Sequence, residues 1–240
     1  MKAMILAAGK GTRMRPLTLE TPKPLLAVVD KPLIVYHIEN LVQAGVTDIV
    51  INHAYLGEKI EAYLQDGAQW GASIVYSREG EPLETAGGIA KALPLLGNQP
   101  FIVLNGDVWT DFDVTRLTQT HVDGRDTLAH VVLVDNPEHN PDGDFSVSPD
   151  SSLVASEPRD ANDSMHTFAG MSVVSPNLFV DEQYQGMGLG NILREAMRTD
   201  QVRGEYFTGA WVDVGTPERL QLLDQELRAR GLGQSSATQA

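Results

Sequence analysis

An apolar run, Ala3-Met4-Ile5-Leu6-Ala7-Ala8, leads into Gly9-Lys10-Gly11-Thr12-Arg13-Met14-Arg15-Pro16-Leu17-Thr18. A second basic cluster follows at once, Thr21-Pro22-Lys23-Pro24-Leu25-Leu26. Glycines at 9 and 11 remove the Cβ atoms that keep a backbone from wrapping closely around phosphates. Pro16 forbids an ordinary helix through the arginine pair, so Arg13 and Arg15 belong on a loop or at its exit. The pattern is a phosphate cradle flanked by fixed cations. Two better-known glycine motifs do not fit. A P-loop needs Ser or Thr directly after Gly-Lys, where this chain has Gly11. The dinucleotide fingerprint G-x-G-x-x-G fails at its third glycine, which is Met14, although Asp30 lies at a tempting distance.

The charge distribution narrows the ligand. A net charge of −14 argues against nucleic acid, which wants a basic face. Residues 1–31 nevertheless hold Lys2, Lys10, Arg13, Arg15, Lys23 and Lys31 against Glu20 and Asp30, so the basic charge is concentrated around the glycine loop. A basic spot in an otherwise acidic chain suits a small polyanion such as a nucleoside triphosphate. With no cysteine there is no disulfide scaffold and no thiolate site. The opening apolar run is shorter than the core of a signal peptide, and no stretch approaches the ~20 residues that cross a bilayer. These features lead us to expect a cytoplasmic enzyme without a membrane partner; they leave its oligomeric state open.

Periodicity supplies the elements that must position these residues. Helices are expected over Pro32 to Ala44, Gly57 to Leu64, Gly88 to Leu95 and Val114 to Val122, and strands at Ile49 to Asn52, Ser73 to Tyr76, Phe101 to Leu104 and Thr127 to Val134. Such alternation implies an α/β fold: a Rossmann-like, mostly parallel mixed sheet with helices on both faces and ligands at the carboxyl ends of its strands. From about 135 to 180 the rhythm breaks into a small antiparallel excursion with short strands near Phe145-Val147 and Leu153-Ala155 and a return strand at Phe168 to Val174. A helix ending near Met197, a strand at Val202 to Phe207 and a last helix with Thr216 as N-cap and Pro217 at N1 complete a single domain over 1–231. The tail 232–240 has no apolar period and is expected to be disordered.

Two acidic segments follow strands and offer carboxylates at strand ends. Asn105-Gly106-Asp107 follows the strand Phe101–Leu104, and Trp211-Val212-Asp213-Val214-Gly215-Thr216-Pro217 puts Asp213 between a short strand and the last helix. An isolated Asp after a strand is most often a turn or cap residue. The six histidines lack metal-ligand spacing, His37 reads as structural, and no G-x-S-x-G elbow occurs.

Together these motifs resemble the signature of the sugar-1-phosphate nucleotidylyltransferases, L-A-A-G-x-G-T-R-(M/L)-x-P-L-T…P-K-P-(L/M), with N-G-D and W-x-D-V-G-T-P-E further along. The resemblance implies that Ala8, Gly9, Gly11, Thr12, Arg13 and Lys23 bind the nucleotide, with Arg13 drawing charge toward departing pyrophosphate and Lys23 neutralising the α-phosphoryl group. It implies that Asp107 and Asp213 hold Mg²⁺, which commonly takes one or two carboxylates and fills its other positions with water and phosphate. Glu81-Pro82-Leu83-Glu84-Thr85-Ala86-Gly87-Gly88 resembles the base-recognition loop, giving Glu84, Thr85 and Gly88 as nucleotide contacts. On the sugar-phosphate side the resemblance points to Asn105, Gly143, Asp144, Glu157 and Gly170. Glu157-Pro158 lacks the lysine usual in the family, and Arg159 is displaced by two positions. The chain is similar to two subgroups, N-acetylmuramate 1-phosphate uridylyltransferases and mannose-1-phosphate guanylyltransferases. The absence of a hexapeptide repeat favours the first, with UTP and a sugar 1-phosphate as substrates in peptidoglycan recycling. Arg159 and His166 are the candidates for meeting the lactyl carboxylate of such a sugar. The alternative in another class is a catalytically inactive sensor of nucleotide sugars.

Overall fold

The computed structural model of the chain describes residues 1–148, 151–160, 163–179, 184 and 186–231; the expected disordered tail lies outside them. The first strand in sequence is central in space. β1 (Ala3–Leu6) has only apolar side chains, as suits a strand covered on both faces. In chain order it is followed by a short hairpin, β2 (Ala27–Val28) and β3 (Lys31–Pro32), then α1 (Leu33–Gln43), β4 (Asp48–His53), α2 (Gly57–Leu64), β5 (Ser73–Arg78), α3 (Thr85–Leu96) and β6 (Phe101–Asn105). β5, β4, β1 and β6 lie side by side and parallel. Leu6 pairs with both Asn52 and Asn105. The three strands β4, β1 and β6 therefore end level, and the loops leaving them share one rim.

Next come β7 (Val108–Thr110), α4 (Thr115–Thr118), β8 (Ala129–Val134), β9 (Phe145–Val147), β10 (Val154–Ala155), β11 (Ser164–Val174), α5 (Leu189–Met197), β12 (Val202–Tyr206), β13 (Trp211–Asp213) and α6 (Pro217–Ala229). β11 runs antiparallel to β6 and β8, and β12 pairs parallel with β8. The start of β11 pairs with β9, and β9 with β10. The excursion is thus an antiparallel extension of the main sheet.

Alternation along β1 explains the two main cores. Ala3 and Ile5 share one face with Ile51, under Ile38 of α1 and Ile60 of α2. Met4 packs on the other with Val103, under Ile89 of α3 and Leu193 of α5. A third cluster joins Met14 to Val28, Trp109, Val214, Leu223 and Leu227. It fastens the cradle loop to β7, to the segment after β13 and to α6.

Several elements differ from the sequence-based expectation. The helix expected over 114–122 is one turn, Thr115–Thr118. The hydroxyls of Thr118 and Thr120 donate to the carbonyls of Thr115 and Leu117, an alternative to continued helix. α3 starts three residues early, at Thr85, because Gly87 and Gly88 are packing residues within it rather than its boundary. β7 and the β2–β3 hairpin are too short to leave a periodic signal, and sequence reasoning missed them.

His37 on α1 is buried near the Asn105–Val108 segment. Burial lowers its pKa to about 4, while the backbone of Val108, the charge of Asp107 and the backbone of Asn105 pull it only partly back. The native imidazole is neutral at pH 7. As pH falls from 6.5 toward 4, the unfolded chain takes up a proton that the native state refuses, so stability falls, by about 3 kcal/mol across that window. Denaturant titrations at pH 7 and 4.5 should show this loss in the parent chain, and His37→Leu should flatten the slope. An equal slope in both would refute the assignment.

Candidate active site

The cradle is built by one left-handed residue and one buried anchor. Gly11 sits at φ 58°, ψ 35°. A Cβ there would also meet Thr18 Cγ2 at 3.0 Å, so the position demands glycine. Thr18 Oγ1 donates to the Gly11 carbonyl at 2.8 Å, closing the loop. Thr12–Met14 then forms a single 3₁₀ turn in which Met14 is wholly buried while Arg13 and Arg15 stay exposed. Lys23 opens a later such turn, Lys23–Leu25, and is only 8% exposed, with Nζ 2.5 Å from Asp107 Oδ2.

Two clefts open on the rim. Ala8, Gly9, Lys23, Glu84 and Thr85 line the first. Arg13, His139, Gly170 and Asp213 line the second. Asn105 and Asp107 belong to both. Asp107 therefore stands at their junction, with a lysine on one side and an arginine on the other.

The second carboxylate arrives through strand pairing. β13 lies antiparallel to β7 with Asp213 opposite Val108, and Val214 N–H donates to the Asp107 carbonyl at 3.0 Å. Asp213 Oδ2 accepts from Arg219 Nη1 at 2.9 Å and lies 3.3 Å from His139 Nε2. Thr216 caps α6 by accepting from Arg219 N–H, which places Arg219 on the first turn, reaching back over β13. On both aspartates Oδ1 makes no hydrogen bond or ion pair among the described residues. Two hard oxygen donors on neighbouring strand ends, each with a free oxygen, fit Mg²⁺.

The remaining expected site residues line neither cleft. Gly11 and Thr12 line neither cleft and shape the turn that carries Arg13. Gly88 is buried behind the first cleft, against Asn52 and Glu79. Gly143 packs against the backbone of His166. Asp144 accepts from Phe168 N–H and Asn140 Nδ2, bracing the wall of the second cleft from outside it. Glu157 is exposed, lines neither cleft and offers its backbone carbonyl to Ser146 Oγ. Arg159 is tied to Asp200 at 2.5 Å, and His166 stacks on Tyr206 in a different cavity. Neither faces the second cleft; His139 does, with Arg219 held beside it, and sequence reasoning missed both. Arg219 was findable from the Thr216 cap, which puts position 219 in the turn above Asp213.

Glu84 has φ 63° and ψ 173°, a region that side chains avoid. On its far side Thr85 Oγ1 accepts from Leu189 N–H at 2.6 Å.

A family model described as nucleotidyl transferase matches residues 2–145. The chain is 53% identical, over 92% of its length and 96% of the relative's, to the N-acetylmuramate alpha-1-phosphate uridylyltransferase of Neisseria meningitidis serogroup B. It is 35% identical to a mannose-1-phosphate guanyltransferase of Hypocrea jecorina, covering 91% of this chain but only 62% of that one. A crystal structure from Bacillus anthracis, described as a glucose-1-phosphate thymidylyltransferase, shares the fold with a TM-score of 0.79 at 24% identity over 95% of each chain.

Proposed function

The chain belongs to the nucleotidyl transferase family, as a sugar-1-phosphate nucleotidyltransferase, and from that premise we propose that it transfers UMP from UTP to N-acetylmuramate α-1-phosphate. The products are the UDP-sugar and pyrophosphate, which suits the return of a cell-wall sugar to biosynthesis. The reading rests on one observation above the others: Asp107 joins two clefts, with Lys23 at its side and Arg13 and Asp213 on the second wall. The first cleft takes the nucleoside and the second the sugar phosphate, and the polyphosphate lies at their junction beside Asp107, where Arg13 on the second wall meets it. The nucleophile is a phosphate monoester, mostly dianionic at pH 7 because its second pKa is about 6, so no general base is required. Its oxygen attacks the α-phosphorus, and the bond to the bridging oxygen of pyrophosphate breaks.

This chain's residues supply position and charge for that displacement. Lys23, held by Asp107, meets the α-phosphoryl group, and Arg13 meets the polyphosphate. Mg²⁺ held by Asp107 and Asp213 would neutralise charge building on the transferring phosphoryl group. A coupled pyrophosphate-release screen of four nucleoside triphosphates against a panel of sugar 1-phosphates tests the proposal. UTP with N-acetylmuramate 1-phosphate is the expected best pair. GTP with mannose 1-phosphate as best pair would replace it with the guanylyltransferase reading.

Both cations should matter in the same assay. Lys23→Ala and Arg13→Ala are each expected to lower kcat/KM at least ~100-fold, about 2.7 kcal/mol. Arg15 lies across Met14 from Arg13 and lines neither cleft, so Arg15→Ala should change it less than about threefold. A severe Arg15 variant beside a mild Arg13 variant would reverse these roles.

A further inference from the structure

In the wall of the first cleft, which Ala7 and Asn52 help to line, runs a buried polar chain that no step above uses. Ala7 N–H, at the start of the cradle, donates to Asn52 Oδ1 at 3.0 Å. Asn52 Nδ2 donates to Glu79 Oε1 at 2.6 Å, and Leu83 N–H donates to Glu79 Oε2 at 3.0 Å. Asn52 is 2% exposed and Glu79 8%. The geometry points to Asn52 and Glu79 as positioning residues, a relay that holds the loop carrying Glu84 and Thr85 in register with the phosphate cradle. This inference rests on the reading of the first cleft as the nucleotide site.

The relay has a fixed polarity. Both of its ends are backbone N–H donors, which accept nothing. Ala7 N–H therefore demands the oxygen of the Asn52 amide, which turns the Asn52 nitrogen toward Glu79. Glu79 must then accept at both oxygens, which a carboxylate does and an amide does not. Helix α3 closes over this arrangement. A Cβ on Gly88 would stand 2.5 Å from Glu79 Oε1 and 2.7 Å from Asn52 Nδ2, so the helix lies against the relay only because that residue is glycine. The strained Glu84 is thus pinned on one side by the bond at Leu83 and on the other by the Thr85–Leu189 bond. A strained backbone of this kind persists where its surroundings over-determine it. Release of the Leu83 anchor lets the loop relax away from the cradle. The expected deficit is in nucleotide binding, while the second cleft, lined by no residue of the relay, is left alone.

The polarity argument supplies its own test. Glu79→Gln sets an amide N–H₂ against that of Asn52, and Asn52→Asp sets two carboxylates face to face. The double variant Asn52→Asp with Glu79→Gln reverses only the middle bond. The amide introduced at position 79 then donates to the carboxylate introduced at position 52, and both backbone donors keep an acceptor. Each single variant is expected to raise KM for the nucleoside triphosphate at least ~10-fold, with KM for the sugar 1-phosphate within about twofold, and the double variant to return within about threefold of the parent. A merely structural defect would lower the active fraction, and so the apparent kcat, without separating the two KM values. Should the singles not fold, a soluble double variant with parental KM carries the proposal alone. Unchanged nucleotide KM in the singles, equal rises in both KM values, or a double variant no better than the worse single would overturn it. The assays use whichever substrate pair the parent turns over best. A best pair other than UTP with the muramate sugar removes that assignment and leaves the relay tested, while turnover of no triphosphate overturns both.

Discussion

UTP with N-acetylmuramate 1-phosphate is expected to exceed GTP with mannose 1-phosphate by at least ~10³ in kcat/KM, a difference of about 4 kcal/mol. Muramate carries a lactyl carboxylate that mannose lacks. A site that hydrogen-bonds such a group rejects analogues without it, because its buried donors are left unpaired. His139 lines the second cleft, and Arg219 is half-buried beside it, its guanidinium engaged among the described residues only at Nη1, by Asp213 and His139. A guanidinium has five N–H donors, so Arg219 keeps capacity for a carboxylate. N-acetylglucosamine 1-phosphate, which has the acetamido group but no lactyl ether, separates the contributions and should fall between the two pairs. A preference for GTP with mannose 1-phosphate would end the uridylyltransferase reading and leave the enzyme class standing.

Asp107→Asn should lower kcat ~10³-fold or more while the KM for UTP moves less than about tenfold, and Asp213→Asn should behave alike. Interactions that strengthen as charge moves onto the transferring phosphoryl group appear in kcat rather than in ground-state binding. Asp107 has a second task, since its Oδ2 is the ion-pair partner of the buried Lys23. Its amide variant leaves that ammonium without a counter-charge, so thermal melting must accompany the kinetics to show that the protein assayed is folded. Turnover of the parent chain should be abolished by EDTA and restored by added Mg²⁺. Full activity of either variant in excess EDTA would refute the carboxylate roles.

The cradle was legible because it is contiguous: Gly11, Pro16 and Lys23 act on backbone dihedrals and charge within a few residues of one another. The bounds of α2 and the Thr216 cap were legible for the same reason, each set by local propensity and the nearest N–H groups. Alternating strands and helices gave the layered α/β architecture, because the period of burial is written along each element. Sugar-side residues were a different matter. Arg159 and His166 have suitable chemistry and a suitable place in the chain, but the direction in which each points depends on partners elsewhere, Asp200 for one and Tyr206 for the other.

What local sequence determined, then, was the cradle, the order of elements and which residue types could meet phosphate and metal. Tertiary structure alone decided that β13 would lie on β7, setting Asp213 beside Asp107, and that Arg219 and His139 would gather around it. It also decided that Asn52 and Glu79 would tie the loop before α3 to the start of the cradle. The physical reason is that dihedral preferences and caps act over one or two turns of chain. Strand register and buried hydrogen-bond polarity are settled between segments distant in sequence, by whichever pairing buries the apolar faces and satisfies the donors together.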